Sequence, residues 1–369
     1  MNRAPSRPEV PQPVTVFARL RLALAVAAVV AFAACSGPGS SSAPSPSPSI
    51  PASPSGSVAS SPASPSGPAV ALTVGLGYIP SVQFAQFYLA NAAGTYRDAG
   101  LEVTLQNKID PDLITLVGQG AIDVGSGDGT SVIPAVSQGI PVVYTATIYG
   151  AFPSVVIAKA DSGIAKAADL KGKKIGIPGK YGSSWVMLQA LLKSGGLSTS
   201  DVTIVEYPDF GQATALQQGA VDAATGFANN EPVTLERAGV KVNVLTVDDA
   251  TPLPGPGLVT SRATLQSKHD ALAAFTAATL RAMDEITADP QKGLDATFAA
   301  VPDLAQDKDL QAAILDATIA TWKNPRTGAA YGTIDRDAWQ QSVDFMGTIG
   351  LVPNPVTVDQ LVDDSLLPT

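Results

Sequence analysis

The chain has 369 residues, with 23 Lys and Arg against 32 Asp and Glu, one histidine and one cysteine. A formal net charge of −9 argues against nucleic acid as a partner, because phosphate binding draws on basic side chains. One cysteine forms no internal disulfide, and with a single histidine neither a Cys/His metal site nor a histidine-dependent reaction can be assembled.

The first residues carry Arg3, Arg7, Arg19 and Arg21, then the apolar run Leu22–Ala34, LALAVAAVVAFAA. This predicts a signal peptide over residues 1–34, since the run is about half of the ~20 residues a membrane-spanning helix needs. Cys35 follows directly, at the place where a bacterial lipobox puts the cysteine that receives diacylglycerol. The pattern departs at Phe32, where Leu is usual, and a plain signal peptide that happens to hold a cysteine is the alternative. From Ser36 to Pro68 the sequence is almost wholly Ser, Pro, Gly and Ala, with too little apolar surface to offset its chain entropy. Residues 35–69 therefore read as a lipidated cysteine and a disordered Ser/Pro linker, a tether lifting a domain off a membrane. Cleavage at that point removes four basic side chains and one acidic one, leaving a net charge near −12, which disfavours a highly charged anionic ligand.

The remaining ~300 residues exceed what one core covers, so two lobes are expected. In chain order, Ala71-Leu-Thr-Val-Gly-Leu-Gly predicts a buried strand and Ser81–Ala93 a helix with apolar spacing at Phe84, Phe87, Tyr88 and Leu89. Next come a strand at Leu101-Glu-Val-Thr-Leu, a helix near 112–119, a strand at 122–124, a helix at 130–137 and a strand at 142–147. After Gly150-Ala-Phe-Pro a second series opens with strands at 155–158 and 174–177. It continues through a helix at 184–193, a strand at 202–206, a helix at 211–218, a strand at 221–225 and a helix at 232–238. Beyond Leu258 the pattern is helical, over 269–289, 292–299, 307–322, 335–349 and 358–364. Strands alternating with helices imply parallel sheets with crossover connections, hence an α/β fold class. One pentapeptide occurs in both series, Gln119-Gly-Ala-Ile-Asp123 and Gln218-Gly-Ala-Val-Asp222. In each the glycine suits a helix C-terminus that needs φ > 0.

The segments GYIPSVQFAQFYLANAAGTYRDAGLEVTLQ, QGAIDVGSGDGTSVIPAVSQGIPVVYTATI, DLKGKKIGIPG and GAVDAATGFANNEPVTLERAG together resemble the NMT1/THI5-like solute-binding family. Its members include binders of thiamine pyrimidine precursors, riboflavin, sulfonates and nitrate. The resemblance implies the type II periplasmic-binding-protein fold, two α/β lobes with a ligand cleft between them. Lobe 1 would take residues 70–150 plus 255–369 and lobe 2 residues 151–254. Tyr149–Ser154 and Asp248–Gly257 would be the two crossings. It further implies a small-molecule ligand, an ABC permease and its ATPase as partners, a monomer, and a place on the outer face of the cell membrane. The run Gly77-Tyr-Ile-Pro-Ser-Val-Gln-Phe looks most like the vitamin-associated members, with riboflavin first and the thiamine pyrimidine precursor second. A sulfonate, taurine or nitrate is the alternative.

In open α/β sheets ligands bind at the carboxyl ends of the strands. That rule selects loops 78–84, 127–130, 149–152, 179–184 and 228–231, and within them Tyr78, Phe84, Asp128, Tyr149, Phe152, Ser183, Ser184, Asn229 and Glu231 as candidate ligand-binding residues. Tyr78 and Phe84 offer rings for a flat heterocycle, or core. Tyr149 and Phe152 could close the other face. Glu231 falls where the pyrimidine-binding branch carries an acidic residue that accepts from the aminopyrimidine; placed before Pro232, it also suits a helix N-terminus. Ser183 and Ser184 offer free N–H groups at a helix start, or an N-cap. Asp128 also fits a Gly-Asp-Gly turn.

The loop Gly125-Ser-Gly-Asp-Gly-Thr lacks both the GxGxxG and the GxxxxGK[ST] spacing, which excludes those nucleotide-binding patterns. The family also includes fungal pyrimidine synthases that use histidine and a cysteine-rich motif with iron. Here the one histidine, His269, opens a C-terminal helix, and the one cysteine is Cys35. No catalytic residue, metal ligand or cofactor is expected.

Overall fold

Strand and helix alternate along two consecutive series, and a third, mostly helical stretch returns to the first. The computed structural model describes residues 68–107, 112–247 and 251–368. The expected signal peptide, Cys35 and all but the end of the linker lie outside those residues, as do positions 248–250 of the second crossing. The first series is β1 (Val70–Gly75), a 3₁₀ turn (Val82–Phe84), α1 (Ala85–Ala92), α2 (Thr95–Asp98), β2 (Leu101–Gln106), α3 (Leu113–Gly118), β3 (Val124–Gly127), α4 (Gly129–Ser137) and β4 (Val142–Thr147). The second is β5 (Ser154–Lys159), β6 (Lys174–Ile177), α5 (Gly182–Ser194), β7 (Thr203–Glu206), α6 (Gln212–Gln218), β8 (Ala223–Phe227), α7 (Glu231–Arg237) and β9 (Val242–Leu245). The third is β10 (Gly257–Ser261), α8 (Arg262–Ser267), α9 (His269–Ala288), α10 (Pro290–Ala300), α11 (Lys308–Trp322), α12 (Arg336–Thr348) and α13 (Val358–Leu361). The short elements α2, β9, β10 and α8 are additions to the pattern read from the sequence.

The strands form two five-stranded sheets, in the orders β2-β1-β3-β10-β4 and β7-β6-β8-β5-β9. β1 pairs in parallel with β2 and β3, and β6 in parallel with β7 and β8. Each sheet has one antiparallel strand in its fourth place. In the first it is β10, which arrives after the second series; in the second it is β5, which enters directly from the first. The repeated pentapeptide does the same job twice. Gly120 and Gly219 sit at φ 74° and 75° at the ends of α3 and α6, as the pattern predicts. The aspartate that follows then accepts from a neighbouring strand: Asp123 Oδ2 from the N–H of Thr73 at 2.9 Å, and Asp222 Oδ2 from the N–H of Lys174 at 2.8 Å.

β4 and β5 are buried on both faces along almost their whole length, and apolar runs of that kind mark strands covered by helices on both sides. α9 and α10 pack on α1, and α12 and α13 on α4, so the C-terminal helices return to the first sheet. There Phe275 of α9 stacks with Tyr96 and Phe87, at ring distances of 5.0 and 6.3 Å. α11 touches both series, lying against the 3₁₀ turn and against α7. Among the described residues no helix is long and apolar enough to cross a membrane.

The two chain crossings run side by side. The N–H groups of Ile148 and Tyr149 donate to the carbonyl of Pro256, and those of Gly150 and Ala151 to the carbonyls of Trp322 and Thr321 at the end of α11. This packing leaves no room for side chains at two glycines. A Cβ on Gly150 would collide with the backbone of Asn324, and one on Gly255 with the carbonyl of Tyr149.

Candidate ligand cleft

The parallel strands of both sheets end at loops, and the crossings meet the sheets at those same ends. From the end of β1 the chain passes Gly77, at φ 70°, to Tyr78. The Tyr78 ring meets that of Phe210, which follows β7, edge-on at 5.3 Å and 80°. This contact joins a loop of one sheet to a loop of the other. The body of Tyr78 leans on the first core. Its hydroxyl lies beside the Asn230 side chain and near the Glu231 carboxylate; burial foremost, and then the charge of Glu231, raise it far above the ordinary phenol range.

Phe210 is the one non-glycine residue with positive φ among the described residues, at 60°. An L-residue in that conformation is less stable by about 1–2 kcal/mol, so the fold holds it there through other contacts. Its N–H donates to the carbonyl of Tyr207 at 3.0 Å, closing a tight turn, and Asp209 Oδ1 accepts from the N–H of Gly211 at 3.2 Å.

Glu231 opens α7, with Pro232 next to it. Its Oε2 accepts from the N–H of Phe227 at 2.7 Å, and burial raises the carboxyl above its ordinary value against that opposing bond. The residue is half-buried overall, but its carboxylate is folded back into the β8–α7 loop and enclosed there. It serves its own loop, and a carboxylate retains acceptor capacity beyond one such bond.

Asn229 is fully buried and its Nδ2 donates to Thr318 Oγ1 of α11 at 2.8 Å. The Tyr149 hydroxyl lies beside both side chains, which draw it down, while burial, the larger effect, raises it; its contact with the carbonyl of Gln83 is long, at 3.4 Å. Asn229 Oδ1, and Nε2 of Gln83, the residue whose carbonyl the Tyr149 hydroxyl approaches, are buried without a hydrogen-bond partner, which is uncommon for interior polar atoms.

The structure thus brings together Tyr78 with Glu231, and Tyr149 with Asn229. Phe84, Asp128, Ser183 and Ser184 belong to neither pair, and Phe152 meets only the second, through a cavity it shares with Tyr149. Phe84, 8% exposed, packs in the first core. Phe152 lines a cavity of about 30 Å³ at the crossings, together with Tyr149, Pro254, Asn324 and Trp339. Asp128 is the N-cap of α4, its Oδ1 accepting from Thr130 Oγ1 and from both the N–H and Oγ of Ser131, and burial raises its carboxyl despite those bonds. Ser183 and Ser184 lie half-buried in the first turn of α5, whose N-cap is Tyr181. Their N–H groups belong to the first turn, which has no intrahelical acceptors. A second cavity, of about 190 Å³, is lined by Gly75, Gly77, Gln106, Leu113 and Ile122. Neither cavity includes Tyr78, Phe210 or Glu231. Sequence reasoning left out Phe210, Gln83 and Thr318. The carboxyl-end rule, applied to β7 as well, would have found Phe210.

The profile of the family described as NMT1/THI5 like matches residues 81–293. The riboflavin-binding protein RibY of Chloroflexus aurantiacus is 34% identical over 303 residues, which is 80% of this chain and 86% of that protein. The chain belongs to the NMT1/THI5 like family. A 4-amino-5-hydroxymethyl-2-methylpyrimidine phosphate synthase of Aspergillus parasiticus in the same comparison is 32% identical, but over 41% of this chain and 43% of the enzyme. Among solved structures, the periplasmic aliphatic sulphonate binding protein SsuA of Escherichia coli superposes with a TM-score of 0.64 at 20% identity, covering 79% of this chain and 97% of that one. The NMT1/THI5-like chain therefore has the two-lobed periplasmic-binding-protein fold that the resemblance implied.

Proposed function

We propose that this protein is an extracytoplasmic solute-binding protein of an ABC importer, and that it takes a flat aromatic heterocycle, a riboflavin-type ligand first and an aminopyrimidine second, at Tyr78. The observation that carries the reading is the placement of the Tyr78 hydroxyl near the enclosed Glu231 carboxylate, in a chain that shares 34% identity with a riboflavin-binding protein over four-fifths of its length. A stacked ring adds about 0.5–1.5 kcal/mol beyond its buried area. A carboxylate accepting from ring N–H donors makes the stronger, charge-assisted kind of hydrogen bond. Neither group transfers a proton or forms a bond to the ligand; both hold it.

Lobe 1, residues 70–150 with 255–369, and lobe 2, residues 151–254, would close about the paired crossings. Asn229 would complete the cleft floor, and the first-turn N–H groups at Ser183 and Ser184 would supply polar contacts. Cys35, outside the described residues, would carry the lipid that anchors the protein to the outer face of the membrane, where it would meet the permease and ATPase as a monomer. A catalytic role has little support. His269 is exposed beside Asp270, and the synthase likeness spans less than half of either chain.

The test is a thermal-shift and fluorescence titration with riboflavin, thiamine, an aminopyrimidine, taurine and nitrate. Saturable binding of one heterocycle, weakened roughly tenfold by Tyr78→Ala, is expected. A response confined to taurine or nitrate refutes the heterocycle. For the anchor, Cys35→Ala should move the protein from the membrane fraction to the soluble one.

A further inference from the structure

We propose that Phe210 is an intramolecular competitor for the ligand: in the empty protein its ring occupies the aromatic contact on Tyr78 that the ligand's ring takes over on binding. The proposal rests on the heterocycle reading of the cleft. Three observations carry it.

The first is the backbone. Phe210 holds φ 60°, while Gly211 beside it, the residue that adopts positive φ at no cost, sits at φ −81°. The turn would close equally well with glycine at 210, so what the position requires is the side chain. The second is the contact, edge-on to Tyr78 at 5.3 Å, one of the favoured geometries for an aromatic pair. The ring comes from the lobe opposite to the one that supplies Tyr78.

The third is an asymmetry between the two partners. Tyr78 leans on the first core and has Asn230 and Glu231 at its hydroxyl. Phe210 stands on a surface turn whose Pro208 and Asp209 are exposed, and whose closure is the one bond from its own N–H to Tyr207 and the Asp209 cap. That turn can swing without breaking a strand pairing of β7, so Phe210 is the partner that leaves. A planar ligand restores to Tyr78 the contact that Phe210 gives up, and until it arrives the ring keeps water off the cleft face of Tyr78.

The test is stopped-flow binding of riboflavin, and of whichever other heterocycle the wild-type protein binds, to wild type, Phe210→Ala and Phe210→Gly. Removing a competitor lowers Kd, by roughly 2- to 10-fold if one aromatic pair is at stake, with the gain in the association rate. The glycine variant, whose backbone suits φ 60°, keeps the test valid if the alanine variant folds poorly. Structural damage weakens binding, so a gain in affinity is not explained by it. Weaker binding through faster dissociation would show that Phe210 is a wall of the filled site and overturns the competition alone. Absence of binding by the wild-type protein overturns the cleft reading and the competition together.

Discussion

The pentapeptides Gln119–Asp123 and Gln218–Asp222 end equivalent helices, start equivalent strands and put an aspartate on equivalent strand N–H groups, yet they differ in what else they hold. Asp123 also pairs with Lys268 Nζ at 2.7 Å, with 16% of its side chain exposed. Its carbonyl accepts from Thr260 Oγ1 of β10, and Lys268 reaches on to the carbonyl of Ala71 in β1. Asp222 is exposed, and no ion pair to it occurs among the described residues. The first copy is a junction at which sheet, returning strand and C-terminal helices meet; the second closes its own βα unit and little more. One local plan therefore supports two different loads, and position in the chain decides which.

Substitutions can break or sharpen that contrast. The largest effect is expected from Asp123→Ala, which orphans the N–H of Thr73 and leaves the partly buried Lys268 with the Ala71 carbonyl but no countercharge; about 3 kcal/mol of stability should be lost in urea unfolding. Thr318→Val, which removes the acceptor that α11 offers the buried Asn229 amide of the second series, should cost about 1–2 kcal/mol. Asp222→Ala should cost about 1 kcal/mol, and parity with Asp123→Ala would erase the contrast.

A gentler effect is expected from pH. Burial raises the folded-state pKa of Glu231 above its unfolded value. Its contribution is therefore full below the unfolded pKa and is lost as pH rises through the folded one. Thermal melts of Glu231→Gln should lack that decline, and an unchanged pH profile would mean that the carboxylate is solvated. The smallest effect belongs to Arg237→Ala. Its 3.9 Å pair with Asp309 joins α7 to α11 but is 44% and 90% exposed, so a change below about 0.5 kcal/mol is expected.

Much of this architecture was legible in the sequence because the long elements carry periodicity. The αβ alternation from β1 to α7 and the helices from α9 onward follow their apolar spacing closely, and the pentapeptide glycines adopt the positive φ that their place implies. β10, Gly257–Ser261, escaped because it sits beside a Pro/Gly-rich stretch that reads as a connector. Only long-range pairing makes it a strand. Tyr78 and Glu231 were legible as loop residues at strand ends. Phe210 was legible in its place, a loop residue after β7, but not in its conformation, since beside Gly211 the positive φ would be assigned to the glycine. Gln83 and Thr318 join a cluster assembled from parts of the chain more than two hundred positions apart, and no local pattern announces that.

The place of β10 also constrains how the chain reaches its native state. It lies between β3 and β4, bonded to both, and Thr260 meets Asp123 across 137 positions of sequence. The first sheet has a gap in its interior until the whole second series has been made and brought round. Non-local pairings of this kind slow folding. Residues 70–150 alone should be unable to complete a sheet, and a chain that crosses a membrane before it folds would have its last strand available at the time the gap must be filled.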